Sequence, residues 1–322
     1  MARSDKVTEK PEPRRGSRDA AGRFRSMKVG VTGSSGLIGA ALLPELAGAG
    51  HDTVRVVRRR PAGRDEVAWD PAAGTISPDA LAGVDGVIHL AGYNLGTRWT
   101  ESKKRAILES RTSGTRLIAE TLARLEPRPR VLVCASAIGF YGDRGDEVLT
   151  EESAKGEGFL ADVVEAWEAA AQPARDAGIR VVHLRQGLVL SREGGALGRL
   201  LLPFRLGLGG PVGGGDQWWS WVAMEDVTGA YLHALTGELA GPVNVVAPGA
   251  TRNRDFVKAL GRALHRPAIA PFPGFAVRTL LGEMGEELLL ASQRIFPAAL
   301  EAGGYTVRRR ELADALTHVL ES

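Results

Sequence analysis

Three glycines spaced three residues apart, Gly33, Gly36 and Gly39, separate a short apolar run from the helical segment Leu37–Ala49. A glycine turn between a strand and a helix lets backbone N–H groups and the helix N-terminus approach a pyrophosphate, which larger side chains would prevent. The spacing therefore predicts a dinucleotide site. An ordinary strand-to-helix turn is the alternative, but a second β-branched run, Thr53–Val57, follows where the next parallel strand of a βαβ unit belongs.

Three arginines, Arg58, Arg59 and Arg60, end this second run. A site selective for NAD usually has an acidic residue there, about 20 residues after the glycines, that accepts hydrogen bonds from ribose hydroxyls. Guanidinium groups can instead bind a 2′-phosphate through forked, charge-assisted hydrogen bonds. We therefore expect NADP(H), with Arg58 and Arg59 at the phosphate. A solvated run of surface charge is the alternative.

The excess positive charge of the chain is concentrated at its start. The formal net charge is +3 over 322 residues, but residues 1–26 contain eight Lys or Arg against four acids, which leaves 33 bases and 34 acids in the remainder. This near-neutral remainder argues against a nucleic-acid partner. The basic tail lacks an apolar segment, so we expect a disordered arm and no secretory signal. A start at Met27 is an alternative for this tail.

Cysteine, histidine and apolar residues restrict the classes of protein further. A single cysteine, Cys134, cannot form an intramolecular disulfide, which is typical of a reducing cytoplasm. The six histidines show no paired ligand spacing, so we expect no metal site. The longest apolar stretch, Leu197–Leu208, is interrupted by Arg199 and Arg205, so we expect no membrane span. These features predict a cytoplasmic protein with a small-molecule substrate.

Apolar runs alternate with helix-length segments through the first half of the chain. The predicted strands after the arginines are Val84–Leu90, Arg130–Ser136 and Ile179–Leu184, and the predicted helices are Glu101–Leu125 and Leu160–Ala177. Strands separated by helices indicate an α/β fold, a Rossmann-type doubly wound parallel sheet with helices on both faces. In such a sheet ligands bind beyond the carboxyl ends of the strands.

The alternation ends after Leu190, where glycine, proline and tryptophan become frequent. We therefore predict three parts: the disordered tail 1–26, a dinucleotide-binding domain over 27–190 that is completed by about 222–250, and a smaller, mostly helical cap over 191–221 and 251–322. The cluster Trp218–Trp221 lies in the cap region and could form an apolar substrate wall or core between the two parts.

Several separated motifs resemble one family. The stretches TGSSGLIG, HLAG, SAIGFYG, WWSWVAMEDV and RIFPAALEAGGY resemble the extended short-chain dehydrogenase/reductase superfamily, and within it the atypical epimerase family group with a small C-terminal domain of unknown function. The resemblance covers residues 27–322. It implies NADP(H), and a homodimer is an alternative to a monomer. The residues assigned to the cofactor, from the resemblance and from the arginine run, are Gly33, Ser34, Ser35, Gly36, Leu37, Ile38, Gly39, Arg58, Arg59, Leu90, Ala91, Gly92, Arg111 and Arg185. For Arg111, an exposed surface charge is the alternative.

The resemblance breaks down at the residues that transfer protons. Active members use a Ser or Thr, a Tyr and a Lys four residues after it, but counting from Tyr141 these positions fall on Ala137, Phe159 and Val163. A phenol needs a neighbouring cation to act as a base near neutral pH, and the lysine position holds Val163. Arg144 and Arg185 are the alternatives for a cation that could activate Tyr141. Tyr141 and Ser136 are the remaining catalytic candidates.

Two functions remain open. The first is an NADP(H)-binding oxidoreductase or epimerase-like protein that acts on an unidentified small substrate without the usual triad. The second is a non-enzymatic NADP(H)-dependent sensor or scaffold, linked to cell division as some relatives are.

Overall fold

The protein is described as a computed structural model over residues 26–321, so the prediction of a disordered tail lies outside the described residues apart from Ser26. Strands and helices alternate along the first half of the chain. The strands are β1 (Lys28–Thr32), β2 (Asp52–Val57), β3 (Glu66–Asp70), β4 (Thr75–Ile76), β5 (Gly86–His89), β6 (Val131–Ala137), β7 (Val148–Leu149), β8 (Arg180–Gln186), β9 (Leu188–Leu190), β10 (Trp218–Trp219), β11 (Trp221–Ala223), β12 (Gly241–Val245), β13 (Thr251–Arg252) and β14 (Arg294–Ile295). The helices are α1 (Leu37–Gly48), α2 (Glu101–Ala123), α3 (Phe159–Ala169), α4 (Gln172–Asp176), α5 (Gly195–Arg205), α6 (Met224–Thr236), α7 (Asn253–Ala263), α8 (Gly274–Leu281), α9 (Glu283–Gly285), α10 (Ala298–Ala302) and α11 (Leu312–Glu321).

The central sheet has the order β12-β8-β6-β5-β1-β2-β3-β4. Neighbouring strands are parallel, except for the short edge strand β4, which runs antiparallel to β3. The strand order reverses between β1 and β5, because β2 and β3 lie on one side of β1 and the later strands on the other. A crevice opens at such a switch point, beyond the carboxyl ends of the strands. The predicted doubly wound parallel sheet is confirmed.

Successive residues of the central strands contribute to two different apolar cores. Val131 and Val133 of β6 pack with residues of α1 and α6, whereas Leu132 and Cys134 pack with residues of α2 and α4. This follows from the two-residue period of a strand, and burial on both faces explains the continuous apolar runs of the sequence.

Two boundaries differ from the sequence prediction. The single helix expected over Leu160–Ala177 is divided into α3 and α4, with Pro173 in the first turn of α4. Proline has no backbone N–H to continue a helix but is tolerated in its first turn, so the chain bends there. The sheet also extends beyond β2 through β3 and β4, which the sequence analysis did not anticipate because β3 (EVAWD) is short and carries two acids.

The cap and the sheet share one apolar core. Phe204 of α5, Phe256 of α7 and Leu316 of α11 belong to the same buried cluster as Val31 and Val182 of the sheet. The segment Arg294–Ile295 also pairs with β7, so the C-terminal part is joined to the loop after β6. Over residues 26–321, no helix has both the length and the apolar character needed to cross a bilayer.

Candidate functional site

The glycine turn packs tightly against the chain that follows β5. Gly33 has a φ of +67°, and a Cβ at this position would lie 2.8 Å from the carbonyl carbon of Leu90 and 2.9 Å from the nitrogen of Ala91. A Cβ at Gly39 would lie 2.7 Å from the Cα of Ser34. Only glycine meets both requirements, which brings the turn, the start of α1 and Leu90–Gly92 together at the switch point of the sheet.

A buried pair of side chains holds these two segments together. The Thr32 hydroxyl lies 2.8 Å from Nδ1 of His89, and it accepts hydrogen bonds from the backbone N–H groups of Leu90 and Ala91 at 3.1 and 3.3 Å. Burial lowers the pKa of His89 to about 4, so the imidazole is neutral at physiological pH. The crevice floor is therefore fixed before any ligand binds.

The turn and its surroundings fit a dinucleotide. Within residues 26–321, no side chain caps the N-terminus of α1, whose N-cap residue is Gly36. Uncapped N–H groups and the helix dipole favour an anion there, and the glycines leave the space that a pyrophosphate needs. The residues positioned to hold it are those of the predicted loop, Gly33–Gly39, facing Leu90–Gly92 across the crevice.

The three arginines have different surroundings. Arg59 donates two hydrogen bonds to the Glu66 carboxylate, at 2.7 and 2.6 Å, and Arg55 lies 2.8 Å from the same carboxylate. The hydrogen bond from Arg59 is the main reason that the pKa of Glu66 falls to about 2. Arg58 is exposed, and its side chain has no ion pair or hydrogen bond within residues 26–321. All three arginines line an open groove of about 600 Å³ together with Trp69.

A second cavity, of about 230 Å³, lies between the sheet ends and the cap. Ala137 and Val163, two positions where the triad of the resembled family falls, are part of its wall. Phe159, the third position, instead packs its ring against Trp99 at 5.2 Å between centroids. The wall is formed by Leu95, Arg111, Ala137, Ile138, Gly139, Leu160, Val163, Val164, Trp167, Gln186, Gly187, Leu188, Trp218, Trp219, Ser220, Glu287, Leu288, Ala291 and Gln293.

Most polar side chains of this wall already have partners within the protein. Both carboxylate oxygens of Glu287 accept backbone hydrogen bonds, from Phe159 and Leu160 at 2.8 Å, so this acid caps the N-terminus of α3 from the distant cap. The Ser220 hydroxyl donates to the backbone oxygen of Gln293. These groups stabilise the wall and are not arranged to exchange protons with a ligand.

Arg111 is the cationic residue of the wall among residues 26–321. It lies on α2 and is 7 % exposed, so the alternative of an exposed surface charge is wrong. Its guanidinium carbon lies 5.0 Å from the centre of the Trp167 ring and would lie 3.4 Å from a Cβ on Gly92. Arg111 therefore stands where the crevice meets the cavity.

The two catalytic candidates lie in a buried network beside the cavity. The Tyr141 hydroxyl donates to Oδ1 of Asn244 at 2.8 Å and accepts from Arg185 at 3.0 Å. Arg185 forms a two-point ion pair with Glu168, at 2.8 Å for both contacts, and Ser136 donates to the same carboxylate at 2.6 Å. Neither Tyr141 nor Ser136 belongs to the wall of the cavity.

This network corrects two interpretations made from the sequence. Burial raises the pKa of Tyr141, although Arg185 acts in the opposite direction, so this phenol is not activated as a base. Arg185 is 3 % exposed and its charge is paired with Glu168. Because it is buried and already paired, a direct contact with the cofactor is not expected. These side chains bond to one another and to Asn244 inside the protein.

The tryptophan cluster is divided between the cavity wall and the core. Trp218 and Trp219 line the cavity, and Trp219 and Trp221 belong to the shared core. The sequence analysis missed Gln186, Glu287 and Gln293 as wall residues. Only their place in the folded chain identifies them, because the last two reach the cavity from the C-terminal part. Over residues 26–321, no group of three or more His, Cys, Asp or Glu side chains is arranged to hold a metal ion.

Two family models match this chain. Residues 29–247 match the NAD dependent epimerase/dehydratase family, and residues 272–319 match a domain of unknown function, DUF1731. An epimerase family protein of Mycobacterium leprae is 40% identical over 296 residues, which are 91% of this chain and 96% of the relative.

Solved structures agree with this match. The human epimerase family protein SDR39U1, isoform 2, crystallised with NADPH, has a TM-score of 0.83 at 35% identity and covers 92% of this chain and 99% of its own. A nucleoside-diphosphate sugar epimerase from Corynebacterium glutamicum has a TM-score of 0.78 at 39% identity, with 92% of this chain and 58% of the other covered. The glycine turn, the parallel sheet and these likenesses show that the chain belongs to the NAD dependent epimerase/dehydratase family, as an SDR39U1-like member with a DUF1731 domain at its C-terminal end.

Proposed function

We propose that this chain binds NADP(H) and acts as an oxidoreductase or epimerase-like enzyme on a small, largely apolar substrate, without a Tyr–Lys proton couple. The observation that carries the proposal is the cavity between the sheet ends and the cap, whose wall has Ala137 and Val163 where the resembled family has its Ser/Thr and Lys. The NADPH bound in the human SDR39U1 structure supports the choice of cofactor.

Some residues of the chain would bind the cofactor, and others would enclose the substrate. Gly33–Gly39 would hold the pyrophosphate, and the unpaired Arg58 would bind the 2′-phosphate. The cofactor, when bound, supplies or accepts a hydride at its nicotinamide. Trp218 and Trp219 would exclude water and position the substrate, so that catalysis rests on orientation.

A screen of NADPH oxidation tests this function. Short-chain aldehydes, ketones and nucleotide sugars would be offered with NADPH, and the change in absorbance of the nicotinamide would be followed. We expect reduction of an apolar carbonyl compound, in which the hydride adds to the carbonyl carbon and the alkoxide takes its proton from water on product release. We expect no turnover of nucleotide sugars, since within residues 26–321 no group of the cavity wall is free to take a proton from a sugar hydroxyl. Epimerisation consumes no NADPH, so the sugar products would be analysed separately. Robust epimerase turnover would show that another residue transfers the proton and would overturn the part of the proposal that limits the substrate to an apolar carbonyl compound.

The second candidate is a non-enzymatic NADP(H) sensor or scaffold, linked to cell division. The mutual pairing of Ser136, Tyr141, Glu168 and Arg185 favours it, because these polar groups stabilise the fold and leave none for chemistry. Tight NADPH binding, a protection from proteolysis on binding and the absence of turnover across the screen would together support this candidate over the first.

A further inference from the structure

Four large aliphatic side chains project into solvent from the cap. Leu202 on α5, Leu206 directly after this helix, Leu208 and Ile269 are between 65 and 80 % exposed. Leu202 and Leu206 are four residues apart and therefore lie on one face of the helix. A backbone hydrogen bond of 3.0 Å between the residues that follow Leu208 and Ile269 places these two side by side. We call the four residues the aliphatic patch; single exposed leucines are ordinary, but a cluster marks an interaction site.

The two segments that carry the aliphatic patch contain cations and no acids. Residues 194–215 hold two arginines and residues 256–282 hold four Lys or Arg, without an Asp or Glu in either segment, whereas the chain after residue 26 has 33 bases and 34 acids. Two of these cations lie at the patch, because Nε of Arg266 donates to the backbone oxygen of Arg205 at 3.1 Å. Both arginines are exposed, and neither forms an ion pair within residues 26–321. Positive charge therefore accumulates around exposed hydrocarbon.

The sign of this charge argues against two occupants that the chain itself could supply. A two-fold contact of the patch with a second copy would place Arg205 and Arg266 against the same cations of that copy. Residues 1–26 hold eight Lys or Arg against four acids, so they are repelled as well. The occupant that complements the patch is anionic and offers an apolar environment to the aliphatic side chains.

Among anionic partners, the form of the patch favours a lipid surface. Side chains that are 65 % exposed or more project from the protein, whereas a groove for a peptide would cover its lining residues. Protein interfaces concentrate binding energy in Trp, Tyr and Arg within well-packed pockets, and single-stranded nucleic acids stack on aromatic rings. A fluid acyl layer needs no complementary shape and accepts projecting aliphatic side chains, while anionic head groups attract arginines.

We propose that the aliphatic patch docks this protein on an anionic membrane surface. Its four aliphatic side chains enter the outer part of the acyl layer, and Arg205 and Arg266 contact the lipid phosphates. Such a contact involves one leaflet and needs no helix that spans the bilayer. The proposal is independent of the cofactor and of the proposed reaction, because the patch residues line neither of the two cavities described above.

Flotation of the full chain with lipid vesicles tests the proposal. Vesicles of phosphatidylcholine with about 30 mol% phosphatidylglycerol would be compared with vesicles of phosphatidylcholine alone. We expect at least about tenfold tighter binding to the anionic vesicles, and weaker binding as the salt concentration is raised. No binding to the anionic vesicles up to about 1 mM accessible lipid would overturn the proposal.

Surface variants locate the contact. Combining Leu206→Ser, Leu208→Ser and Ile269→Ser should weaken binding to anionic vesicles by at least about tenfold, because less hydrocarbon enters the acyl layer. Combining Arg205→Gln with Arg266→Gln should have an effect of similar size, since each cation near an anionic surface contributes about fivefold. Unchanged binding by the triple serine variant would assign vesicle binding to the basic residues 1–26 and contradict the role of the patch.

Two matched controls lie away from the patch. Val148→Ser removes an aliphatic side chain of β7 that is 53 % exposed, and Arg116→Gln removes an exposed charge of α2. Both should bind anionic vesicles like the unaltered chain. Thermal unfolding would be recorded for every variant, and we expect little change because the replaced side chains are exposed.

A polarity-sensitive fluorophore reports directly whether the patch enters lipid. The single cysteine of the chain, Cys134, is buried, so a thiol-reactive label attaches to the thiol introduced by Leu208→Cys. We expect its emission to shift to shorter wavelength on anionic vesicles, and the same label on Arg116→Cys to remain unshifted. An unshifted label at Leu208→Cys on vesicle-bound protein would show that the patch stays in water and would overturn the proposal.

Two further measurements identify other occupants. A dimer in sedimentation velocity that the triple serine variant dissociates would show that a second copy covers the patch, which would refute membrane docking. Binding of polyglutamate or duplex DNA that the same variant loses, without any binding to anionic vesicles, would assign the patch to an acidic protein or a nucleic acid and would also refute it.

Discussion

Arg59 and Glu66 are joined by two parallel hydrogen bonds of 2.7 and 2.6 Å, so the second of three consecutive arginines is already bound by the protein itself. Glu66 belongs to β3, the strand beside β2, and is buried, which anchors the arginine run to the sheet. Its neighbour Arg58 remains free for a ligand within the described part of the chain. The Arg59–Glu66 pair therefore gives Arg59 a different role from Arg58, although the two residues look equivalent in the sequence.

This separation predicts different effects of substitution on cofactor choice. NADPH should bind at least about tenfold more tightly than NADH, a difference of about 1.4 kcal/mol. Arg58→Ala should remove most of that difference, whereas Arg59→Ala should mainly lower the melting temperature by releasing Glu66. Titrations followed by nicotinamide fluorescence would measure both dissociation constants. Equal affinities in the unaltered chain would contradict the 2′-phosphate role.

The glycine turn should tolerate no side chain. Gly33→Ala would place a Cβ 2.8 Å from the backbone of Leu90 in a left-handed conformation, so we expect loss of NADPH binding and a lower melting temperature. Gly48→Ala is the matched control, because this glycine at the end of α1 has open space around it. Calorimetry and thermal unfolding would be compared for both variants. Normal NADPH binding by Gly33→Ala would refute a cofactor site at this turn.

The buried network of Tyr141 should act on stability and not on ligand binding. Tyr141→Phe loses two buried hydrogen bonds, to Asn244 and from Arg185, at a cost of about 1–3 kcal/mol, with unchanged NADPH affinity. Glu168→Gln leaves Arg185 without a counter-ion in a buried position, and we expect a loss of about 3–5 kcal/mol. Glu165→Gln, exposed on the same helix, should change the free energy of unfolding by less than about 1 kcal/mol. Urea unfolding measures all three. Loss of turnover in Tyr141→Phe, with stability retained, would restore its catalytic candidacy.

Two buried histidines should make stability depend on pH. Burial lowers the pKa of both His89 and His183 to about 4, against about 6.5 in an unfolded chain. Between these values only the unfolded chain takes up the protons, so the free energy of unfolding should be highest above pH 6.5 and fall as the pH is lowered towards 4. The full shift corresponds to roughly 3 kcal/mol for each histidine.

Urea unfolding at pH 7.5 and at pH values down to 4.5 measures this slope. A His89→Gln, His183→Gln double variant should show a much flatter profile, whereas the exposed His265→Asn should keep the slope of the unaltered chain. An unchanged slope in the double variant would show that other groups dominate the acid sensitivity.

Local sequence patterns predicted the sheet because each central strand is buried on both faces. The run Val131–Ala135 is apolar throughout for that reason. The glycines at 33, 36 and 39 could be identified from their spacing, and backbone atoms leave little room for a Cβ at each of them. The strand β3, next to the edge strand β4, was not predicted because its buried Glu66 resembles a surface acid until Arg59 is seen beside it. Pro173 lies inside the helix predicted over Leu160–Ala177 and is a sequence signal for a break, but that prediction followed the apolar periodicity around it.

The candidate site was less predictable because distant segments build it. Glu287 reaches the start of α3 across 128 residues, and Asn244 meets Tyr141 across 103, so neither contact has a local signature. The sequence did predict apolar residues, Ala137 and Val163, at positions where counting from Tyr141 puts proton-transfer groups in the resembled family, and both residues line the cavity. It could not indicate that Ser136 and Arg185 would both bond to Glu168 or that Tyr141 would accept from Arg185, because these hydrogen bonds join segments that meet only when the chain has folded.

The core that joins the sheet to α7 and α11 bears on how this chain can be divided. The family models end and begin again between residues 247 and 272, which suggests two modules that could be exchanged or expressed separately. Leu316 and Phe256, however, complete the same apolar cluster as Val31. A fragment that stops at residue 247 would expose that surface to water and should aggregate rather than fold. We therefore expect the two matched regions to fold together as one cooperative unit, so that neither can be exchanged or expressed alone.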